Sequence, residues 1–331
     1  KNKKIIESKL ISDEIDWDSV VKVSTGHFVF PALYCNLKNA NFLHYLPEEL
    51  VNYMIHITDL NRERNQQIIE QAKEINELLL KNNITPVFLK GTGNLLEDLY
   101  EDIAERMVGD IDFLVSDKDY NKTIKVLEND GYLKDLTIID STFLNRHYPK
   151  IVKKNKIAAL EIHFKMVLEP YHKYFNYNYI KNDIKIIKNN ISILSFKNQI
   201  ILTSLNKQIN DRGHWYKSIS LRASYDLFLL SKKTSAIDLL KNISIIFLKL
   251  NNFIASTNFI FNKPQSLIFE ETTNSKKHLE KQLKFIDQPK KYIQNKKKWD
   301  LYFLTKSRIL VLIRMFYSKE NLRYVIQKSL K

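Results

Sequence analysis

Two aspartates one residue apart, Asp110 and Asp112, stand at the head of an apolar run, Phe113-Leu114-Val115. Alternate residues of a strand share a face, so both carboxylates are aimed at one place. Acids so aimed repel unless a proton or a cation lies between them. Upstream, the apolar run Val87-Phe88-Leu89 breaks at Lys90-Gly91-Thr92-Gly93, and an amphipathic segment follows to about Asp102. The order is strand, turn, helix, strand. The Gly91-Thr92 turn at a helix start presents backbone N–H groups and the positive dipole end to a phosphate, and Lys90 and Arg106 could add cationic contacts to a triphosphate. A third acid, Glu161, interrupts the apolar strand Ala158-Ala159-Leu160-Glu161-Ile162, where it is costly to bury without a partner. Hard carboxylate oxygens suit Mg²⁺ or Mn²⁺. Three of them can build a site that activates one oxygen and stabilises a leaving one. Together these parts describe nucleotidyl transfer, in which a nucleoside triphosphate is attacked at its α-phosphorus and pyrophosphate leaves.

Each residue also has a plainer role. Gly91 could merely end a strand, Lys90 could be a solvated strand end, and Glu161 could be a surface acid on an edge strand. Arg106 could pair with Glu101 or Glu105. His163 shares the face of Glu161 and suits a buttressing hydrogen bond to that carboxylate. Arg222 and Asp226 are four apart on one helix face and suit a pair of their own. His214-Trp215-Tyr216 could stack on a base or pack in the core. The sequence holds no full Walker P-loop, no Rossmann GxGxxG and no convincing hydrolase triad.

The elements that must position these groups read as follows. Residues 1 to about 46 suggest short helices, with Asp16 or Asp18 as a cap. Pro47-Glu48-Glu49 starts a helical stretch that runs to about Lys81, as one helix or two. A strand begins near Ile84, and Ser116 to Asp119 cap a helix ending at Asp130-Gly131. Residues 147–152 and 157–164 suggest a hairpin, and 184–187 with 191–194 a smaller one about Asn189-Asn190. From Phe196 the pattern is helical, over 200–209, 214–231 and 236–261. The polar stretch 265–295 reads as a loop or mobile segment, and 296–331 as a basic helical tail. The division is a helical region 1–83, a mixed α/β centre 84–195 and a helical region 196–331.

Composition narrows the class. In 331 residues there is one cysteine, Cys35, which excludes an internal disulfide and a cysteine-based zinc cluster. The start KNKKII has no apolar h-region, and no stretch approaches the ~20 apolar residues of a membrane span. The expectation is a soluble, cytoplasmic protein. Net charge is +15, and residues 275–331 carry 16 Lys and Arg against 4 Asp and Glu. Such asymmetry suits a polyanionic partner, although lysine-rich surfaces also serve solvation alone.

The segments LKGTGNLLEDLY, ERMVGDIDFLV and ALEIHF resemble the uncharacterised nucleotidyltransferase family of the polymerase-β-like superfamily. Trp17-Asp18 and the stretch Leu221-Arg222-Ala223-Ser224-Tyr225-Asp226-Leu227 fit its outline. The resemblance spans roughly 17–230. It implies an α+β fold, with a small mixed β-sheet nucleotidyltransferase core flanked by helices. It implies Asp110, Asp112 and Glu161 as catalytic metal ligands for Mg²⁺ or Mn²⁺, with Glu161 also suited to act as base. It implies Lys90, Gly91, Thr92 and Arg106 as nucleotide-binding, with ATP or another nucleoside triphosphate as substrate. Thr92 stands where relatives carry Ser or Gly, which keeps a hydroxyl. The gap from Gly91 to Asp110 is longer than in the polymerases, so Val108-Gly109 must supply a bend. More distantly the chain is similar to toxin and abortive-infection nucleotidyltransferases, which implies addition of nucleotides to tRNA or of AMP to a protein. A catalytically inactive nucleotide- or RNA-binding relative is the remaining alternative, and the complete set of three acids speaks against it.

Overall fold

The computed structural model describes residues 2–12, 14–134, 146–240, 244–316 and 322. Three helices open the chain: α1 (Asn2–Ile11), α2 (Trp17–Gly26) and α3 (Phe30–Asn39). The Asp16 carboxylate caps α2 by accepting the Ser19 N–H at 3.0 Å. Next comes α4 (Glu48–Lys81), one unbroken helix of 34 residues. Pro47 precedes it and Glu48 and Glu49 sit in its first turn, where acids offset the helix dipole. The rest of the centre is β1 (Val87–Phe88), α5 (Lys90–Leu96), β2 (Ile111–Leu114), α6 (Tyr120–Asn129), β3 (Leu133–Lys134), β4 (Ile151–Val152), β5 (Leu160–His163), α7 (Tyr177–Ile180), β6 (Ile184–Ile187) and β7 (Ile191–Leu194). The C-terminal helices are α8 (Phe196–Leu205), α9 (Gly213–Tyr216), α10 (Leu221–Ser231), α11 (Ala236–Leu240), α12 (Ser244–Ile260), α13 (Thr273–Asp287) and α14 (Pro289–Met315).

The fold is mixed α+β. Seven strands form one sheet in the order β3-β4-β5-β2-β1-β7-β6. β2 runs parallel to β5 and β1 parallel to β7, while the other neighbours are antiparallel. Ile111, Phe113, Leu160 and Ile162 point to one face and are fully buried. They join one core that runs from the second half of α4 through the sheet to α8, α10 and α12. A second apolar cluster gathers Phe30, Tyr34, Phe42 and Met54 under the N-terminal helices.

The structure revises several expectations. Lys90 to Gly93 do not form a free turn; they are the first residues of α5, which ends at Leu96 rather than near Asp102. The stretch 214–231 is two helices, because Lys217 adopts the left-handed region at φ 58° between α9 and α10. The segment expected as a loop, 265–295, contains α13 and the start of α14. Its helix was hard to see because the face it buries is polar: Ser275, His278 and Gln282 are buried. The tail residues 317–321 and 323–331 lie outside the described residues.

Candidate active site

The parallel register pairs Asp112 with Glu161 and Leu114 with His163. Asp112, Glu161 and His163 therefore share one sheet face. A ligand atom from each lies within 4.8 Å of the others. His163 is fully buried, and its Nε2 meets Asp112 Oδ1 at 2.8 Å and Glu161 Oε2 at 3.5 Å. Its shorter contact is thus with Asp112 across the β2–β5 seam, and its longer one with Glu161.

Amines occupy the space between the acids. Lys90 Nζ reaches Asp112 Oδ1 at 2.6 Å and Glu161 Oε2 at 3.7 Å. Lys150 Nζ joins Asp110 Oδ2 at 2.5 Å to Glu161 Oε1 at 3.3 Å. Asp110 precedes β2 and reaches Glu161 through that amine. Burial would raise the Glu161 carboxyl, but the hydrogen bond of His163 and the charge of Lys90 outweigh it, and the group is held well below the usual carboxylate range. His147 stands on the strand side opposite His163, with its Nε2 3.7 Å from Glu161 Oε2. Its Nδ1 lies 2.8 Å from the Tyr148 carbonyl. An N–H donated there leaves Nε2 as an acceptor facing the acids. Burial lowers the His147 pKa and favours that neutral ring.

The glycines and Thr92 serve close approach. A Cβ on Gly91 would lie 3.0 Å from Val108 Cγ2 and 3.3 Å from Arg106 Nη2, and one on Gly93 only 2.7 Å from Gln199 Nε2. Thr92 is buried and donates its hydroxyl to the Asp110 carbonyl at 3.1 Å, tying α5 to the residue that opens β2. Lys90 sits at φ 53°, a backbone conformation that aims its side chain at the acids.

Arg106 pairs with neither Glu101 nor Glu105. Its Nε donates to both oxygens of Asp226, at 2.9 and 3.0 Å, and Tyr100 donates to the same carboxylate at 2.8 Å. Asp226 is thereby occupied, so the expected Arg222–Asp226 pair does not form. Arg222 instead lies over the Phe28 ring, 4.9 Å from its centre. Trp215 packs against Phe303 and Trp299, at 5.2 and 6.5 Å between ring centres, so it belongs to the helical layer.

These groups line a cleft of about 330 Å³. One wall carries Lys90, Gly91, Asp110, Asp112, Arg146 and Glu161; the other carries Asn206, Asp211, Arg222 and Asp226. Arg146 donates to the Met166 carbonyl at 3.2 Å. Among the described residues Arg146 and Arg222 have no carboxylate within ion-pair distance, and burial pushes both guanidinium groups down. Lys207 is buried behind them and donates to Ser218 Oγ at 2.9 Å. Arg146, His147, Lys150 and Lys207 are not singled out as site groups by sequence pattern, whereas Arg222 lies in the stretch that fits the family outline. His147 and Lys150 had a signal, since they lie in the hairpin partner of the Glu161 strand. Arg146 and Lys207 had none.

The cleft thus sets the acids and amines of the sheet, together with Arg146, across from Arg222. The chain belongs to the uncharacterised nucleotidyltransferase family, whose model matches residues 13–245. Neither a curated protein nor a solved structure matches it. Among the described residues no helix is long and apolar enough to cross a membrane.

Proposed function

We propose that this chain is a divalent-metal-dependent nucleotidyltransferase that moves a nucleoside monophosphate from a nucleoside triphosphate to an acceptor hydroxyl or phosphate. The observation that carries the reading is the pair of lysine amines seated between Asp110, Asp112 and Glu161. A surface that holds two ammonium groups among three acids suits Mg²⁺ or Mn²⁺, with carboxylate oxygens as hard ligands. Asp112 and Glu161 would hold the ion directly, Asp110 across the gap now bridged by Lys150, and His163 as ligand or as the group that orients Asp112. When bound, such an ion neutralises phosphate oxygens and makes the α-phosphorus a better electrophile.

The protein's own residues do the rest. The acceptor oxygen attacks the α-phosphorus in line, the bond to the β-phosphate oxygen breaks, and pyrophosphate leaves. His147 Nε2 takes the proton of the acceptor hydroxyl, with Glu161 as the alternative base. Arg146 and Arg222, cationic and without carboxylate partners among the described residues, receive the β- and γ-phosphates. Lys90 and the N–H groups at the start of α5 approach from the sheet side, and Arg106 fixes the wall behind Gly91. This arrangement supports membership of the polymerase-β-like superfamily. A nucleic-acid acceptor such as tRNA, or a protein acceptor, stands as the second reading, favoured by the net charge of residues 275–331. The single buried Cys35 suits a reducing, cytoplasmic compartment.

The deciding experiment incubates the protein with each α-labelled nucleoside triphosphate and Mg²⁺ or Mn²⁺, beside RNA, protein and small-metabolite pools. Label entering one pool, and lost with Asp110→Asn/Asp112→Asn, is expected. Transfer that survives the double substitution overturns the metal assignment, and no transfer to any pool overturns the enzymatic reading.

A further inference from the structure

Helix α14 presents one face of unusual make-up. At ~100° per residue, Lys291, Lys298, Leu301, Tyr302, Ile309, Leu312, Ile313 and Phe316 fall within an arc of about 120°. Leu301, Tyr302, Ile309, Leu312, Ile313 and Phe316 are each at least 50% exposed. Single exposed apolar residues are ordinary, but a continuous stripe of six marks an interaction surface. By the same periodicity Lys306 and Arg308 flank the stripe on either side. The N-terminal half of the face is basic and opens on the groove between α13 and α14. That groove has a volume of about 580 Å³ and is lined by Lys277, Lys281, Lys284, Lys291 and Lys298, with Glu280 as its one carboxylate. None of these five lysines has a carboxylate within ion-pair distance among the described residues. The sole acid of α14, Asp300, lies on the opposite side and is held by Lys296 and Tyr216.

We propose that this face of α13 and α14 docks the protein on an anionic lipid surface. The lysines meet headgroup phosphates, and the stripe from Leu301 to Phe316 enters the boundary between headgroups and acyl chains. The occupant follows from complementarity. A second copy paired in parallel sets lysine against lysine, and paired antiparallel sets the basic half against the apolar half. RNA matches the lysines and leaves the stripe in water. An anionic bilayer satisfies both halves at once. The groove and the stripe share no residue with the lining of the acid cleft, so the proposal does not rest on what the cleft catalyses.

The test mixes the full chain with vesicles of phosphatidylglycerol and phosphatidylcholine, or of phosphatidylcholine alone, and measures protein recovered by flotation. Recovery with the anionic vesicles only, fading as salt rises, is expected. Ile309→Glu/Leu312→Glu abolishes it. Lys291→Gln/Lys298→Gln weakens it roughly 30-fold, about 2 kcal/mol. All four positions are exposed, and an unchanged circular dichroism spectrum verifies that the fold persists. Four results overturn the proposal: no recovery with either vesicle, equal recovery with neutral vesicles, recovery that the variants do not alter, or a dimer in light scattering that Leu312→Glu disperses. RNA binding lost in the lysine variants, with no vesicle recovery, assigns the groove to nucleic acid instead. None of these readings uses nucleotide, so their failure is separate from failure of the catalytic assignment.

Discussion

Among the described residues, two clusters of titratable groups are built on opposite rules. On the β2–β5 seam every acid has an amine against it: Asp110 has Lys150, Asp112 has Lys90, and Glu161 touches both, with the His163 ring beside Asp112 and Glu161. Behind α9, like charges are collected with no acid paired to them among the described residues. Lys217 donates to His278 Nδ1 at 2.9 Å, and His214 stacks on His278 with ring centres 5.9 Å apart. Lys249 on α12 and Lys281 on α13 add their charge. Burial then keeps both rings neutral, lowering His214 to about 4 and His278 to about 3. Lys217 falls to about 8, again chiefly by burial. The first cluster is a set of opposite charges, two amines held among three acids. The second is a stability load that pH can tip.

The contrast is most easily broken at the acids. Asp112→Asn is expected to lower transfer on the order of 10³-fold or more, since the ion it helps to hold supplies several kcal/mol of charge stabilisation. Label transfer under saturating nucleotide measures it, and a near-wild-type rate would remove Asp112 from the centre. Next in size is the buried pair behind Gly91. Asp226→Ala leaves the Arg106 guanidinium buried without its carboxylate, and stability should fall by about 3–5 kcal/mol in urea titration. A fall under 1 kcal/mol would mean that Arg106 finds another partner. Arg146→Ala should weaken nucleoside triphosphate binding by about 1.5–3 kcal/mol, read as a raised KM with the thermal midpoint unchanged. If Arg146 serves only the Met166 carbonyl, KM stays put.

The smallest effect separates the clusters by pH. The folded pKa of His278 lies below its unfolded value of 6.5. Protons therefore favour the unfolded chain, and the stability due to the neutral ring is complete above pH 6.5 and lost as pH falls toward about 3. The loss is at most about 1.4 kcal/mol per pH unit. Urea titrations at pH 7 and pH 5 should show a shallower loss for His278→Gln than for the unsubstituted protein. Equal losses would assign the acid sensitivity elsewhere.

What could be read from the sequence followed local period. Asp110, Asp112 and Glu161 were visible because an acid at strand spacing in an apolar run is anomalous on its own. The small hairpin 184–194 and the start of α4 were visible because turn and first-turn residues act over a few positions. Lys90 was visible as a cation at a strand end, but Lys150 and His147 were not, since they reach the acids through the register of an antiparallel neighbour, and the pairing of Arg106 with Asp226 spans 120 residues. Helix α13 hid for another reason: hydrophobic periodicity cannot report a helix whose inner face is Ser275, His278 and Gln282.

Helix α4 carries a mechanical consequence. Asn61 donates to the Ala104 carbonyl at 2.6 Å and Asn65 to the Arg106 carbonyl at 2.7 Å, while Arg64 donates to the carbonyls of Val108 and Gly109. Two turns on, Gln71 donates to the Ala158 carbonyl at 2.9 Å and accepts the Ala158 N–H at 3.1 Å. The approach to Asp110 and the approach to Glu161 thus hang from one rod. The acid wall is tied to one helix on both of its strands. The facing wall is built otherwise: the π-turn Asn206–Asn210 and the left-handed residues Arg212 and Lys217 interrupt its helices.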